Sequence, residues 1–122
     1  MNTTLAQERS LFALEELKKI GKVEKLDKLV SSLPAMILQN GFGQALAFLL
    51  AKGSTGKNPH HGLAFDIVAL WLKKRGIITK AARDEVMQDI SRLPQGDYLR
   101  AQEETLAILE WLKRYANAGL FS

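Results

Sequence analysis

The chain has 122 residues, a formal charge of +4 at neutral pH, 47% hydrophobic and 25% charged residues, and no cysteine. That length suits one domain, residues 1–122, able to bury roughly two-thirds of its unfolded surface without a metal or a disulfide. The absence of cysteine excludes disulfides, thiol catalysis and cysteine-based zinc sites together, and a pI near 9.5 admits a nucleic-acid partner without requiring one.

The first segment, Met1 to Arg9, lacks the basic-then-apolar order of a secretory signal, which predicts a cytoplasmic chain. A first helix is predicted from Thr4, where Thr4-x-x-Gln7 has the form of a capping box, to Gly21. Ala6, Ala13, Leu14, Leu17 and Ile20 share one face, with Glu8, Glu15, Lys18 and Lys19 opposite. Leu5, Leu11 and Phe12 lie off that stripe. A second helix is predicted from near Lys22, with Val23, Leu26, Val30, Leu33 and Ile37 at steps of three and four. Pro34 removes a backbone donor, so it either kinks this helix or opens a new one capped by Ser32.

From Leu29 to Ala51 there is no charged residue. A membrane span needs about 20 predominantly apolar residues, but Gln39, Asn40, Gly41, Gly43 and Gln44 fill the middle of this stretch. It reads instead as two apolar helices meeting at an Asn40–Gly41 turn, the second running from about Gly43 to Lys52. Helices apolar nearly all round belong in a core, so this hairpin is expected at the centre, with Phe48 buried. Gly53 to Gly62 has loop composition throughout and is expected to be a mobile connector.

A fourth helix is predicted from Leu63 to Arg75, apolar at Leu63, Ile67, Leu70 and Trp71, with Phe65 off the stripe. Thr79 is the expected cap of a fifth, carrying Val86, Met87, Ile90 and Leu93 before Pro94; Asp97 is the expected cap of a sixth, carrying Tyr98, Thr105, Leu106, Leu109, Leu112 and Ala116 inward and ending near Gly119. No segment alternates with period two. The expected fold is all-α, a bundle of five to seven helices around the uncharged hairpin.

Chemistry is sparse. Gly53-Ser54-Thr55-Gly56-Lys57 resembles a phosphate loop only in part: Ala51 stands where the first glycine should be, Asn58 where Ser or Thr should be, and the segment follows a helix rather than a strand. His60-His61 are adjacent, without the spaced partners a metal needs. Glu15-Glu16, Asp84-Glu85 and Glu103-Glu104 fall on polar faces, where carboxylates stay solvated and ionised. No catalytic constellation, metal site, cofactor or small-molecule substrate is expected. Many basic residues precede glycines at helix ends, where they complement the helix dipole. Trp71 and Trp111 lie near apolar stripes and are expected to be buried; Tyr115, beside Lys113-Arg114, is the better candidate for base stacking.

Two segments carry a resemblance. They are Leu33-Pro34 through Asn40-Gly41 and Ala47-Phe48-Leu49 to Lys52, and Tyr98 through Thr105 to Trp111-Leu112-Lys113-Arg114-Tyr115-Ala116. In order and spacing they resemble the small helical subunit of the Cmr complex, the type III-B CRISPR effector. One departure is Glu103-Glu104-Thr105, where the family pattern has a Thr-Glu order. The resemblance implies a non-catalytic subunit whose copies stack in a filament beside the other Cmr subunits. It also implies a channel carrying the guide RNA complex and single-stranded target RNA, with cleavage done elsewhere. The candidate RNA-binding residues are Lys52, Lys57, Lys113, Arg114 and Tyr115, which form one patch if the third and sixth helices lie side by side and parallel. Arg9, Lys22 and Lys25 are reserves on another face. The alternatives are a helical protein–protein interaction module without nucleic-acid binding and, third, a small enzyme.

Overall fold

The computed structural model describes residues 2–120. Six helices follow in order: α1 (Leu5–Ile20), α2 (Leu26–Asn40), α3 (Phe42–Gly53), α4 (Pro59–Lys74), α5 (Arg83–Arg92) and α6 (Gln95–Asn117). No strand occurs among the described residues. No helix among them is long and apolar enough to cross a membrane.

The capping box forms as predicted: the Gln7 amide donates to the Thr4 hydroxyl and the Thr4 amide to the Gln7 side chain. Gly21 ends α1 at φ 65°, a conformation that costs glycine nothing. The buried face of α1 is rotated from the predicted stripe. Phe12, Ala13, Glu16 and Leu17 point inward, whereas Ala6 is exposed. Phe12 wins the inward position because its ring meets Trp71 of α4 at 5.0 Å between centroids, a contact far larger than an alanine offers.

Helix α2 starts at Leu26, later than predicted, after a left-handed Lys25. It runs without a break through Pro34, so the second helix does not divide at Ser32. The Ser32 hydroxyl donates back to the Leu29 carbonyl instead of capping a new helix. The seam Leu26, Val30, Leu33 and Ile37 is buried, joined by Leu29. Gly41, at φ 95°, turns the chain into α3.

The uncharged hairpin contributes eight buried side chains to the core, but only from one side. Ser31, Ala35, Gln39, Gln44, Ala47 and Ala51 are exposed, and Leu38 is 70% exposed. Phe48, expected in the core, is half-buried. The most enclosed element is α4, where nine of sixteen residues are buried, including Phe65 and Trp71. It packs against α2, α3, α5 and α6, so neighbours surround it.

Helix α4 begins at Pro59, four residues before the predicted start, leaving 54–58 as the connector. Proline suits the first helical position, where its missing N–H would be unsatisfied anyway. The ends of the connector are pinned together: a Cβ on Gly53 would stand 2.6 Å from the Gly62 nitrogen. Gly62 is covered in turn by Arg83, whose guanidinium donates to both Asp66 oxygens at 3.0 Å.

The predicted caps of the last two helices are replaced. Ala82 precedes α5, and Thr79 instead donates from its amide and hydroxyl to Asp89. Pro94 precedes α6, with Asp97 inside its first turn. Tyr98 ties that end down: its hydroxyl accepts from the Gly43 amide at 2.9 Å, one of the N–H groups that a helix start leaves without a partner.

Candidate nucleic-acid interface

Helix α6 packs against α1, α2 and α4, and meets α3 where Tyr98 reaches Phe42 and Gly43. The side-by-side pairing of α3 and α6 that would unite the five sequence-predicted residues is therefore not formed, and they fall into two groups. Lys52 and Lys57 flank the turn between α3 and α4. Both are exposed, with the Lys52 ammonium 5.9 Å from the Phe48 ring centroid. Lys113 and Arg114 lie toward the other end of α6, each 3.6 Å from the Glu110 carboxylate. Such exposed pairs contribute about 0–1 kcal/mol and leave most guanidinium donors free.

Tyr115 is held in place rather than presented. Its hydroxyl lies 2.6 Å from the Ser10 hydroxyl, and its ring packs on Trp111 at 5.7 Å. Both rings line an uncharged groove of about 330 Å³ with Ala6, Ser10, Leu11 and Leu14. Of the reserve cations, Lys22 and Lys25 line a cleft of about 500 Å³ between the α1–α2 connector and the end of α6. Arg9 lies elsewhere, in a cluster with Glu104.

That cluster is built on Glu104. Read from the sequence as a solvated carboxylate, it is 7% exposed. It projects from the face of α6 that also carries Ala101, Thr105 and Ile108. Arg9 donates to its Oε2 at 2.8 Å, Trp71 Nε1 donates to its Oε1 at 3.1 Å, and Arg75 Nε stands 3.6 Å from the same oxygen. Burial alone pushes the Glu104 carboxyl up, but the hydrogen bonds from Arg9 and Trp71 and the charges of Arg9 and Arg75 outweigh it and hold it below its ordinary value. Arg100, one turn before Glu104, donates to the Arg75 carbonyl at 3.1 Å. Two signals could have exposed the cluster: Glu104 lies on an apolar stripe, and a buried Trp71 needs an acceptor for its indole N–H. Glu16 departs from expectation in the same way on a smaller scale, being buried with Lys19 at 2.8 Å.

The histidines also sit differently from their loop assignment. His60 is buried in the first turn of α4, with its ring 4.3 Å from that of His61. His61 packs edge-on to Phe48, and its Nδ1 is buried without a partner. Burial first, then His60 and Lys52, hold the His61 imidazole below its usual value. No three His, Asp or Glu side chains among the described residues are grouped to hold a metal.

Known proteins share this fold. Residues 5–119 match the family model described as CRISPR-associated protein (Cas_Cmr5). A protein of Thermus thermophilus named CRISPR system Cmr subunit Cmr5 is 36% identical over 106 residues, which cover 85% of this chain and 82% of the relative. Its namesake from Thermotoga maritima is 30% identical over 113 residues, covering 91% and 81%. The crystal structure of a CRISPR-associated Cmr5 family protein from Thermus thermophilus superposes with a TM-score of 0.74 at 29% identity, covering 98% of this chain and 99% of that one. A match spanning all six helices, by sequence and by structure, places the chain in the CRISPR-associated Cmr5 family.

Proposed function

We propose that this chain is a non-catalytic small subunit of a type III-B CRISPR RNA-guided interference complex, working in the cytoplasm as one helical domain. In this reading copies of it stack in a filament beside the other Cmr subunits, and the filament contacts single-stranded target RNA. The observation that carries the reading is the family match over residues 5–119, with relatives named as subunits of a Cmr system. Open head-to-tail stacking requires two different complementary faces. The protein offers two uncharged ones, the outer side of the α2–α3 hairpin and the groove between α1 and α6. Exposed cations at Lys52, Lys57 and Arg114, with the half-buried Lys113, supply the charge that phosphate contacts need.

One observation favours the alternative of a protein–protein module without RNA contact: Glu110 lies between Lys113 and Arg114, and Tyr115 is engaged by Ser10. Affinity purification of the chain from its native host, with identification of the associated proteins and sequencing of the associated RNA, separates the two. Cmr subunits together with CRISPR guide RNAs are the expected result. Recovery of unrelated proteins alone would remove the proposal. Within an assembled complex, K113E/R114E is expected to weaken target-RNA retention while leaving the subunit folded, since loss of the dipole interaction costs only about 0.3–1 kcal/mol per residue.

A further inference from the structure

Four cations converge on the joint of α1, α4 and α6. Arg9 and Arg75 flank opposite oxygens of Glu104, Arg100 lies over the end of α4, and the Lys74 ammonium stands 6.0 Å from the Phe12 ring centroid. Glu104 is the one carboxylate paired with any of the four among the described residues, so the joint carries an excess of positive charge.

The hydrogen-bonding inventory is also incomplete. A guanidinium has five N–H donors. Arg9 uses Nη2 on Glu104, Arg100 uses Nη2 on the Arg75 carbonyl, and no described residue accepts a hydrogen bond from the Arg75 guanidinium. The Nε atoms of Arg9 and Arg75 are both buried without a hydrogen-bond partner. Their side chains are 21% and 29% exposed, so the two heads sit at the rim of a packed joint, neither sealed nor freely hydrated. The two Nε atoms face into the joint, so an incoming anion meets the remaining guanidinium donors at the partly exposed rim. Glu104 meanwhile holds Arg9 by a short charge-assisted bond and is itself fixed by Trp71.

The geometry points to a phosphate site at this joint, in which Arg9, Arg75 and Arg100 grip the sugar–phosphate backbone of single-stranded RNA and Glu104 acts as a positioning residue for the guanidinia. A phosphodiester offers two unesterified oxygens to the planar guanidinium fork. Arg100 and Lys74, both exposed, extend the positive field beyond a single phosphate. The site rests on the reading that this chain contacts target RNA, and it is separate from the Lys113–Arg114 group.

The test uses an assembled complex containing the full chain, either wild type or Arg75→Gln/Arg100→Gln. The expected result is normal assembly with target-RNA retention weakened about tenfold, and a salt dependence of log affinity shallower by roughly 0.7 for each phosphate no longer neutralised. Unchanged retention and slope in the variant would overturn the site, while the wider reading would stand if omitting the chain still weakens retention. If omission also changes nothing, RNA contact by this chain fails and the site with it. A variant that melts like wild type yet does not enter the complex would make the joint a protein-docking surface, also overturning the proposal. Should the variant misfold, the wild-type chain decides: the Nε–H resonances of Arg9 and Arg75 are expected to shift with a short single-stranded oligoribonucleotide. No shift, or the same shift with inorganic phosphate at equal concentration, would refute a strand-binding site.

Discussion

The α2–α3 hairpin and the joint of α1, α4 and α6 divide their charge and burial in opposite ways. The hairpin has no charged residue from Leu29 to Ala51, yet one side of it faces solvent with Leu38, Ala47 and several amides. The joint encloses a carboxylate with its arginines and an indole N–H. Local charge in the sequence is therefore a poor guide to depth here, because burial is decided by which helices surround an element. Helix α3 packs on α2, α4 and α5, which leaves its remaining side open; Glu104 faces two other helices at once.

The comparison breaks most readily at Glu104. Glu104→Ala leaves Arg9 and Trp71 Nε1 without their shared acceptor and Arg75 without its counter-charge, and is expected to cost about 3 kcal/mol at neutral pH, the lower end for a broken buried pair because the arginine heads are partly hydrated. The carboxyl is held below its ordinary value of 4.5 in the folded protein. Its contribution is thus present above that pH and is lost as the pH falls through the folded value. Urea denaturation of both proteins along an acid series should show the gap close below that range. A gap that is small at pH 7, or constant with pH, would mean the cluster is incidental.

Next in size is the closure beneath the hairpin. Gly53→Ala forces backbone apart at Gly62 and should cost about 2 kcal/mol, as overpacking does. Gly56→Ala is the control, since a Cβ there meets nothing within 4 Å. Equal midpoints for the two variants in thermal melts would count against the close approach. Phe48→Ala should cost about 1–2 kcal/mol, below the 3–5 of a fully buried ring, because the side chain is only half-enclosed. A loss in the larger range would return the whole hairpin to the core. The smallest effect is expected for Leu38→Gln, within about 0.5 kcal/mol of wild type. A larger loss in the isolated chain would show Leu38 to be structurally engaged.

Much of the fold was legible because its signals are local. The Thr4–Gln7 capping box, the Gly21 and Gly41 helix ends and the Leu26-Val30-Leu33-Ile37 seam each depend on a few neighbouring residues. What depended on distant partners was not legible. Phe12 displaced Ala6 from the inner face because Trp71, far along the chain, stands opposite it. Pro59 reads equally well as loop or as helix start until the Gly53–Gly62 contact fixes where the chain must re-enter. For the candidate interface, residue type pointed to lysines and arginines, but grouping them required the pairing of α3 with α6, which the packing replaces with other neighbours. The pairing of Arg9 with Glu104, 95 residues apart, leaves no mark in spacing.

The glycine contact that closes the connector also decides where the chain tolerates additions. With Gly53 against Gly62, the main chain leaves and returns at nearly one point, and the exposed residues between, Ser54 to Lys57, bond mainly among themselves and to the last turn of α3. Loop-closure entropy rises only by about 0.6 kcal/mol for each doubling of length. A peptide epitope or a fluorophore grafted between Thr55 and Gly56 is therefore a handle that leaves the six helices and both uncharged faces as they are.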